Sequence, residues 1–404
     1  MPKHQKQAKN IKQQYCPVCC NSEMMVFFQA ESVPVFCNVL WDSRTKAMAA
    51  PLSKVHLAYC NECGLIYNVA FDQTLMQYSA AYENSLHFSQ RFQQWAKDTA
   101  GRLIRQYQLY DKDIIEIGCG QGDFLEILMR LGNNRVLGFD PSYKPEQTAP
   151  DIDKHAITII PKAYSEVSRE YPADFICCRH VLEHIGHPLE FLKSIRSSID
   201  QRKNCVVYFE VPNALYSIEH LGLWDIIYEH CSYFTSESLA NLFLRAGFEP
   251  IEVAECYDGQ FLTIEARPEH DDIKPVSDSK WAVSNIQSLI GNFQNVYREK
   301  VNSWRNTLSE LENQNSRIVI WGAGSKGVTF VNILNISNKQ IEYIVDVNLR
   351  KCGKFVPGTA QCIVKPDFLR EYRPDTIIIM NPIYQSEIQA AINEFDIVTQ
   401  FLLG

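Results

Sequence analysis

Residues 113–131 of this 404-residue chain read DIIEIGCGQGDFLEILMRL, and this stretch decides the fold. The run from Asp113 to Ile117 is mostly apolar, and a short apolar run bounded by a turn predicts a buried β-strand. Three glycines follow it, and apolar residues then recur at helical spacing from Phe124 to Leu131. Glycines at such a turn let the backbone pass close to a ligand. The stretch therefore predicts a strand, a ligand-binding loop and a helix.

Strand and helix signals alternate downstream of this unit. Apolar, strand-like runs lie at residues 136–140, 174–178 and 205–210, with helical patterns between them. Two more runs, at 251–256 and 261–266, flank a turn of sequence YDGQ, which predicts a hairpin. Such alternation is typical of a parallel sheet covered by helices. We expect an α/β protein with a Rossmann-like core.

Changes in composition divide the rest of the chain. A charged stretch with two prolines predicts a linker, and the amphipathic pattern after it, from Trp281 to Leu311, predicts a long helix. A second β–α–β unit starts at Arg317. The expected parts are a polar leader at 1–14, a small cysteine-containing module at 15–75, the α/β core at 76–267, the linker at 268–280, and the long helix with a C-terminal α/β domain at 281–404.

Composition and charge exclude several classes of protein. The chain is 46% hydrophobic and 21% charged, which is globular composition. No apolar run reaches the roughly 18–20 residues that span a bilayer, and the Lys/Gln-rich start does not resemble a secretory signal. We therefore expect a cytoplasmic protein without a membrane partner. The net charge of −8 argues against broad electrostatic binding of nucleic acid.

Four of the fourteen cysteines form two C-x2-C pairs, Cys16 with Cys19 and Cys60 with Cys63. Two such pairs can supply a tetrahedral set of four thiolates, which is typical of structural zinc. Because protein ligands fill all four positions, we expect Zn²⁺ to have a structural role. Four unrelated buried thiols are the alternative, and Cys20 and Cys37 are substitute ligands without a partner at the same spacing.

The glycine loop has the pattern E-x-G-x-G-x-G, and an acidic residue ends the next strand, where it could hold a ribose. This tight spacing resembles motif one of class I methyltransferases that use S-adenosylmethionine. The alternative is a glycine turn that only packs a strand on a helix. A V-L-E-H segment follows the strand at 174–178, where a cofactor crevice should lie. The candidate cofactor contacts are Glu116, Gly118, Cys119, Gly120, Gly122, Asp140 and His180.

Residues 228–234 read YEHCSYF and carry the densest set of reactive side chains. Glu229 and His230 are two candidate acid–base groups, and Tyr228 adds a hydrogen-bond donor. Histidine suits proton abstraction near neutral pH because its unperturbed pKa is about 6.5. An isolated string of this kind could equally be structural. We expect this segment to carry the chemistry if the strands before it form a methyltransferase core.

The order of these motifs resembles the three-domain sugar C-methyltransferases, which act on nucleotide-linked 4-keto-deoxysugars. The likeness runs from Cys16 to about Ile388 and includes a final G-A-x-x-K-G unit. The resemblance implies a zinc-binding module at 15–75 with zinc on the four paired cysteines, and an incomplete Rossmann-like domain at the C-terminal end. It also implies a base at His230 and substrate positioning by Tyr228 and Glu229. Further candidate contacts are Tyr82 and Ser85, from a tyrosine/serine-rich segment at 78–85, and Lys326 in the C-terminal glycine loop.

The leading hypothesis is a methyltransferase that forms an enolate by removing a proton α to a carbonyl and then methylates that carbon. The acceptor would be a nucleotide-linked keto-deoxysugar or a similar natural-product intermediate. The alternative keeps the cofactor and methylates an oxygen, nitrogen or carbon of another small metabolite. An NAD-dependent oxidoreductase using residues 317–346 and a zinc-ribbon nucleic-acid-binding protein are the other classes considered.

Overall fold

The computed structural model describes residues 15–76, 82–144, 157–164, 170–171, 173–199, 204–220, 222–269, 281, 283 and 286–404. The predicted leader at 1–14, most of the predicted linker and residues 78–81 of the tyrosine/serine-rich segment lie outside them. The first part of the chain forms β1 (Met24–Pro34), α1 (Arg44–Met48), β2 (Leu52–Cys60) and β3 (Ile66–Asn68). These strands pair antiparallel in the order β1-β2-β3.

The middle of the chain forms a mixed sheet covered by helices. Its elements are α2 (Gln90–Tyr107), β4 (Asp113–Ile117), α3 (Asp123–Gly132), β5 (Arg135–Phe139), β6 (Ile157–Ile160), β7 (Phe175–Arg179), α4 (Pro188–Ser198), β8 (Val206–Pro212), α5 (Ala214–Glu219), β9 (Ser232–Tyr233), α6 (Ser236–Arg245), β10 (Phe248–Cys256) and β11 (Phe261–Pro268). The strand order is β10-β11-β8-β7-β4-β5-β6. The pairs from β8 to β6 are parallel, whereas β11 is antiparallel to both of its neighbours.

The strand order reverses at β4, because β5 lies on one side of it and β7 on the other. Ligands of open α/β sheets bind outside the carboxyl ends of the strands at such a reversal. The glycine loop follows β4 at this point. Gly118, Gly120 and Gly122 have φ values of 71°, 56° and 92°, a left-handed conformation that residues with a Cβ rarely adopt. Glycine is therefore required for the shape of the loop.

The last part of the chain forms a second, parallel sheet behind a long helix. Its elements are α7 (Gln287–Asn313), β12 (Ile318–Trp321), α8 (Ser325–Ile333), β13 (Tyr343–Val345), β14 (Cys362–Val364), α9 (Leu369–Tyr372), β15 (Thr376–Ile379), α10 (Gln385–Glu394) and β16 (Gln400–Leu403). The strand order is β14-β13-β12-β15-β16. The long helix α7 packs on β1, where Phe28 contacts Phe293 and Tyr297 edge to face. This packing joins the first and last parts of the chain in one hydrophobic core.

Two features differ from the sequence-based expectations. The long helix begins at Gln287 and not at Trp281, which lies in a turn. The short strand β9, from the segment assigned to the α/β core, pairs with β3 and so joins the first sheet. The proposed zinc module is therefore hydrogen-bonded to the segment that carries His230. None of the described helices is both long and apolar enough to cross a bilayer.

Candidate active site

A cavity of about 430 Å³ opens at the carboxyl ends of β4, β5 and β7. The glycine loop forms one wall of it, and residues 82–87 form another. Most of the candidate cofactor contacts and both candidates from the tyrosine/serine-rich segment line this cavity. These residues are Glu116, Gly118, Cys119, Gly120, Asp140, His180, Tyr82 and Ser85. Gly122 instead caps α3, and a Cβ there would lie 3.1 Å from Ile159.

Two observations on the cavity wall fit a bound nucleoside with a charged amino group. A Cβ added to Gly120 would meet nothing within 4 Å, whereas one added to Gly118 would lie 2.1 Å from Val181. Space is therefore left open beside Gly120. Glu116 is buried, and its Oε2 atom has no hydrogen-bond partner among the described residues. Burial raises the pKa of Glu116 to about 8, so an ammonium group placed beside it would stabilise its charged form.

Asp140 follows β5 and folds back onto the glycine loop. Its Oδ2 accepts the Gly120 N–H at 2.8 Å, and its Oδ1 accepts the N–H and the hydroxyl of Ser142 at 2.7 and 2.6 Å. The carboxylate is thus fixed at the edge of the cavity. Carboxylate oxygens in this position are suited to accept hydrogen bonds from ribose hydroxyls.

A charged cluster supports the floor of the cavity at the ends of β7 and β8. Arg179 Nε lies 3.3 Å from Glu210 Oε2, and His180 Nε2 lies 2.6 Å from Glu210 Oε1. Burial alone would raise the pKa of Glu210, but Arg179 and His180 outweigh it and lower this pKa to about 2. Arg179 also stacks over Phe124 at 4.1 Å. His180 has a φ of 55°, which is uncommon for a residue with a Cβ and typical of functional sites.

His230 packs against His184 on the far side of this cluster. The two rings lie 5.0 Å apart, and His184 Nδ1 lies 2.9 Å from the carbonyl oxygen of Glu229, to which it can donate a hydrogen bond. His184 lines the 430 Å³ cavity, whereas His230 is not among the residues that line either described cavity. Burial lowers the pKa of His230 well below 6.5, and the charges of His184, His180 and Lys326 lower it further. His230 is therefore neutral, with a free lone pair, at physiological pH.

Tyr228 and Glu229 lie deeper than His230, which differs from their expected role as substrate contacts. Both are fully buried, and neither lines a described cavity. The Tyr228 hydroxyl accepts the N–H of Asp72 at 2.8 Å. Glu229 Oε2 accepts the N–H of Cys37 at 3.1 Å, and the carboxylate also bonds to Tyr82. As placed here, Tyr228 and Glu229 hold neighbouring segments in position, and Glu229 orients Tyr82 at the cavity.

A second cavity of about 290 Å³ lies between the hairpin β10–β11 and the C-terminal sheet. Ser85 and Leu86 line both cavities, so the two adjoin at this segment. Its walls are largely apolar and aromatic and include Tyr257, Phe261, Trp321, Met380 and Tyr384. Gly322–Gly327, the C-terminal glycine loop, forms its base. The two adjoining cavities give room for a cofactor and an acceptor side by side.

Lys326 lies in the second cavity and forms an ion pair with Asp225. Lys326, a candidate substrate contact from the sequence, therefore has an acidic partner within the chain. Asp346 follows β13 and accepts the N–H of Ala323 at 2.9 Å, as Asp140 does for Gly120. The C-terminal unit thus repeats the loop-and-carboxylate arrangement of the cofactor cavity.

The four paired cysteines converge at one point beside β2. Their Sγ atoms all lie within 4.8 Å of one another. Cys16 and Cys63 are 3.5 Å apart and Cys19 and Cys60 are 3.4 Å apart, measured between sulfurs. Four thiols at this spacing fit a tetrahedral ion with metal–sulfur bonds of about 2.3 Å. Cys20 is exposed, and Cys37 lies elsewhere in the hydrophobic core, so neither substitutes for these ligands.

Sequence reasoning missed several charged residues of the site. Glu210 lies near the carboxyl end of β8 and pairs with Arg179, the last residue of β7, and this position near the strand ends is the signal that could have identified it. Glu83 accepts hydrogen bonds from Asn348 and Arg350 of the C-terminal part. No local pattern predicts that contact, because the residues are more than 260 positions apart. Glu183 belongs to the V-L-E-H segment, but the sequence pattern predicted no functional role for it.

Comparison with protein families matches two parts of the chain. Residues 87–253 match a "Methyltransferase domain" and residues 275–401 match a "C-methyltransferase C-terminal domain". The C-methyltransferase NovU of Streptomyces niveus is 23% identical over 92% of this chain and 90% of its own length. A tRNA U34 carboxymethyltransferase of Sulfurimonas denitrificans is 26% identical over 40% of this chain and 57% of its own length.

Solved structures align with less than half of the chain. A 1,6-didemethyltoxoflavin-N1-methyltransferase of Burkholderia thailandensis, solved with S-adenosylhomocysteine, covers 43% of this chain and 79% of its own, with 17% identity and a TM-score of 0.33. Magnesium protoporphyrin IX methyltransferase of Synechocystis covers 47% and 91%, with 15% identity and a TM-score of 0.35. The family matches, the sheet order and the glycine loop lead to one conclusion. The chain carries a methyltransferase domain at residues 87–253 and a C-methyltransferase C-terminal domain at residues 275–401, and it is an S-adenosylmethionine-dependent methyltransferase.

Proposed function

We propose that this enzyme methylates a carbon α to a carbonyl, in a nucleotide-linked keto-deoxysugar or a similar natural-product intermediate. The observation that carries the proposal is the position of His230. Its neutral ring packs on His184, which lines the first cavity. The charge of Lys326, which lines the second cavity, lowers the pKa of His230. The base would thus stand near the junction of cofactor and acceptor. The relative named C-methyltransferase NovU supports a carbon acceptor.

The cofactor would be held by side chains already in place at the first cavity. Asp140 would accept the ribose hydroxyls and Glu116 would pair with the amino group, while Gly118 and Gly120 keep the loop close. S-adenosylmethionine supplies an activated methyl group when bound. The chain's own task is then to create a nucleophile and to place it correctly. His230 would remove the α-proton, and a general base of this kind contributes about 10²–10⁴-fold.

We also propose a structural zinc ion on Cys16, Cys19, Cys60 and Cys63. The convergence of four sulfurs supports this proposal. All four positions would be filled by protein, so no position remains for a reacting water. The ion would join the turn before β1 to the turn after β2 and would take no part in the chemistry.

A second candidate is methylation of an oxygen, nitrogen or carbon in a non-sugar metabolite. The aromatic walls of the second cavity favour it, since they suit a flat apolar acceptor. The pairing of Lys326 with Asp225 also leaves this lysine less available for a diphosphate.

The test uses S-adenosylmethionine with a ¹³C-labelled methyl group. The purified enzyme is incubated with nucleotide-linked 4-keto-6-deoxysugars in one series and with aromatic hydroxy and amino acceptors in another. The proposal predicts a new carbon-bound methyl signal in the product NMR spectrum with a keto-sugar. An oxygen- or nitrogen-bound methyl with the aromatic series alone would replace it with the second candidate.

A further inference from the structure

Glu183 is a buried carboxylate that the proposed function leaves without a role. It is 1% exposed, and its Oε2 atom has no hydrogen-bond partner among the described residues. Its Oε1 atom lies 3.9 Å from His184 Nε2 and 3.8 Å from His180 Nδ1. One carboxylate oxygen of Glu183 and one ring nitrogen each of His184 and His230 all lie within 4.8 Å of one another. A buried carboxylate with an open oxygen is costly unless a cation or a proton reaches it.

The imidazole of His230 has a matching requirement. Once it has removed a proton from carbon, it becomes a partly buried cation, and His184, His180 and Lys326 disfavour that charge. His184 is fixed by its contact from Nδ1 to the Glu229 carbonyl, which leaves Nε2 on the side of Glu183. The Glu183 carboxylate thus lies close to the rings of both His184 and His230.

We propose that Glu183 receives the proton that His230 removes from the acceptor, directly or through His184 Nε2. This inference rests on the proposed role of His230 as the base. In the step, the N–H bond of the imidazolium breaks and an O–H bond forms on the carboxylate, so a neutral imidazole and a neutral acid remain. No redox partner is needed. Glu183 does not touch the acceptor; it acts through His230 and is therefore a positioning residue.

The charges around Glu183 suit this exchange near neutral pH. Burial raises the pKa of Glu183 to about 7, with His180 opposing and Glu210 adding to the increase. The thiols of Cys178 and Cys231 also lie near it, and burial raises the pKa of both, so they stay neutral. Above about pH 7 the carboxylate is charged and ready to accept a proton; below it, the acid is already protonated. Proton removal should therefore slow as the pH falls through about 7.

The first test needs no acceptor. In the complex with S-adenosylhomocysteine, the ring ¹³Cε1 signal of His230, assigned by its loss in His230→Asn, is followed against pH. The wild type should show a step near pH 7 from the ionisation of Glu183, and Glu183→Gln should lack it. Glu190→Gln, which alters a carboxylate that is 71% exposed, should keep it. A step that survives Glu183→Gln belongs to Glu229, whose burial also raises its pKa to about 7, and overturns the proposal.

The second test measures exchange of the acceptor's α-hydrogen with deuterated water in the same complex. Glu183→Gln should slow exchange by about 10²-fold and abolish its decline below pH 7, since a proton acceptor of this kind contributes about 10²–10⁴-fold. A purely structural role would slow exchange at every pH and leave the decline in place. Glu183→Asp keeps a carboxylate and should retain the decline, which supplies the test if the Gln variant does not fold.

Failure of this proposal is distinguishable from failure of the proposed function. Wild-type exchange that Glu183→Gln leaves unchanged contradicts the role of Glu183 and retains carbon chemistry. A step at His230 that Glu183→Gln removes, without exchange of any keto-sugar, supports the coupling and contradicts a keto-sugar as the acceptor. A second metal ion per chain that is lost in Glu183→Gln would make the three residues a metal site and overturn proton transfer to Glu183.

Discussion

At the scale of single residues, the open space beside Gly120 is the observation that most directly supports the proposed cofactor site. Gly120→Val should weaken binding of S-adenosylhomocysteine at least about 10-fold, because the side chain would fill space that the ligand needs. Isothermal titration calorimetry measures this effect.

The matched control is Gly353→Val. Gly353 also has a positive φ, of 78°, and open space around its Cβ position, but it lies in the C-terminal part. Both variants should lose similar stability from backbone strain, and only the variant at Gly120 should lose affinity. Equal affinity in the two variants would mean that the cofactor binds elsewhere.

The raised pKa of Glu116 predicts that cofactor affinity depends on pH. Its pKa of about 8 without ligand means that the carboxyl is largely protonated at neutral pH. A ligand ammonium group stabilises the charged form, so binding should release a proton below about pH 8. Affinity for S-adenosylhomocysteine should therefore rise as the pH increases toward 8, and Glu116→Gln should remove that rise. Calorimetry in buffers with different ionisation enthalpies reports the released proton; no release at pH 7 would contradict the assignment.

At the scale of elements, the cysteine turns should stabilise the first sheet more than they affect the chemistry. Cys60 ends β2, and its loss would leave three thiols for the ion. Cys60→Ser or prolonged chelation should lower the melting temperature by several degrees while the remaining folded protein still binds S-adenosylhomocysteine. Cys20→Ser, at an exposed thiol next to Cys19, is the control and should change neither property. Metal analysis without about one zinc per chain in fresh protein would refute this claim.

Elements with strong local signals could be predicted from the sequence. The apolar run at Asp113–Ile117 is the strand β4 without any shift in its limits, and the turn before Phe261 forms the expected hairpin. Thr235 caps α6, as its hydroxyl side chain favours. The strand β9 could not be predicted, because two residues carry no periodic pattern and pair only through a distant partner. The start of α7 was predicted too early, because Trp281 is an apolar residue with helical spacing to the residues of the helix but lies in the turn before it.

At the scale of the whole molecule, Lys326 connects the C-terminal glycine loop to the segment that leads to His230. It pairs with Asp225, five residues before His230, and lies in the second cavity. Lys326→Ala should lower kcat/KM for the acceptor by about 10-fold or more, the loss expected for a hydrogen bond to a charged group, and should leave affinity for S-adenosylhomocysteine unchanged. Lys339→Ala, at an exposed lysine of the same domain, is the control. Loss of cofactor affinity in Lys326→Ala would contradict separate cavities.

The sequence brings together the residues of the first cavity more readily than those of the second. The residues of the first cavity lie on one continuous loop and at nearby strand ends, so spacing alone brings them together. The second cavity is formed by the hairpin, the segment around Ser85 and the C-terminal sheet, which are far apart in the chain. Burial of Tyr228 and pairing of Lys326 also depend on tertiary contacts that no local pattern encodes.

The most direct test of the account is exchange of carbon-bound hydrogen without methyl transfer. The enzyme is saturated with S-adenosylhomocysteine and given a nucleotide-linked 4-keto-6-deoxysugar in deuterated water, and NMR follows the α-hydrogen. The wild type should exchange it, and His230→Ala should lose most of that exchange, about 10²–10⁴-fold, while binding the cofactor product normally. Undiminished exchange in His230→Ala would contradict its role as the base. Methylation of an oxygen or nitrogen, with no exchange in the wild type, would contradict carbon methylation itself.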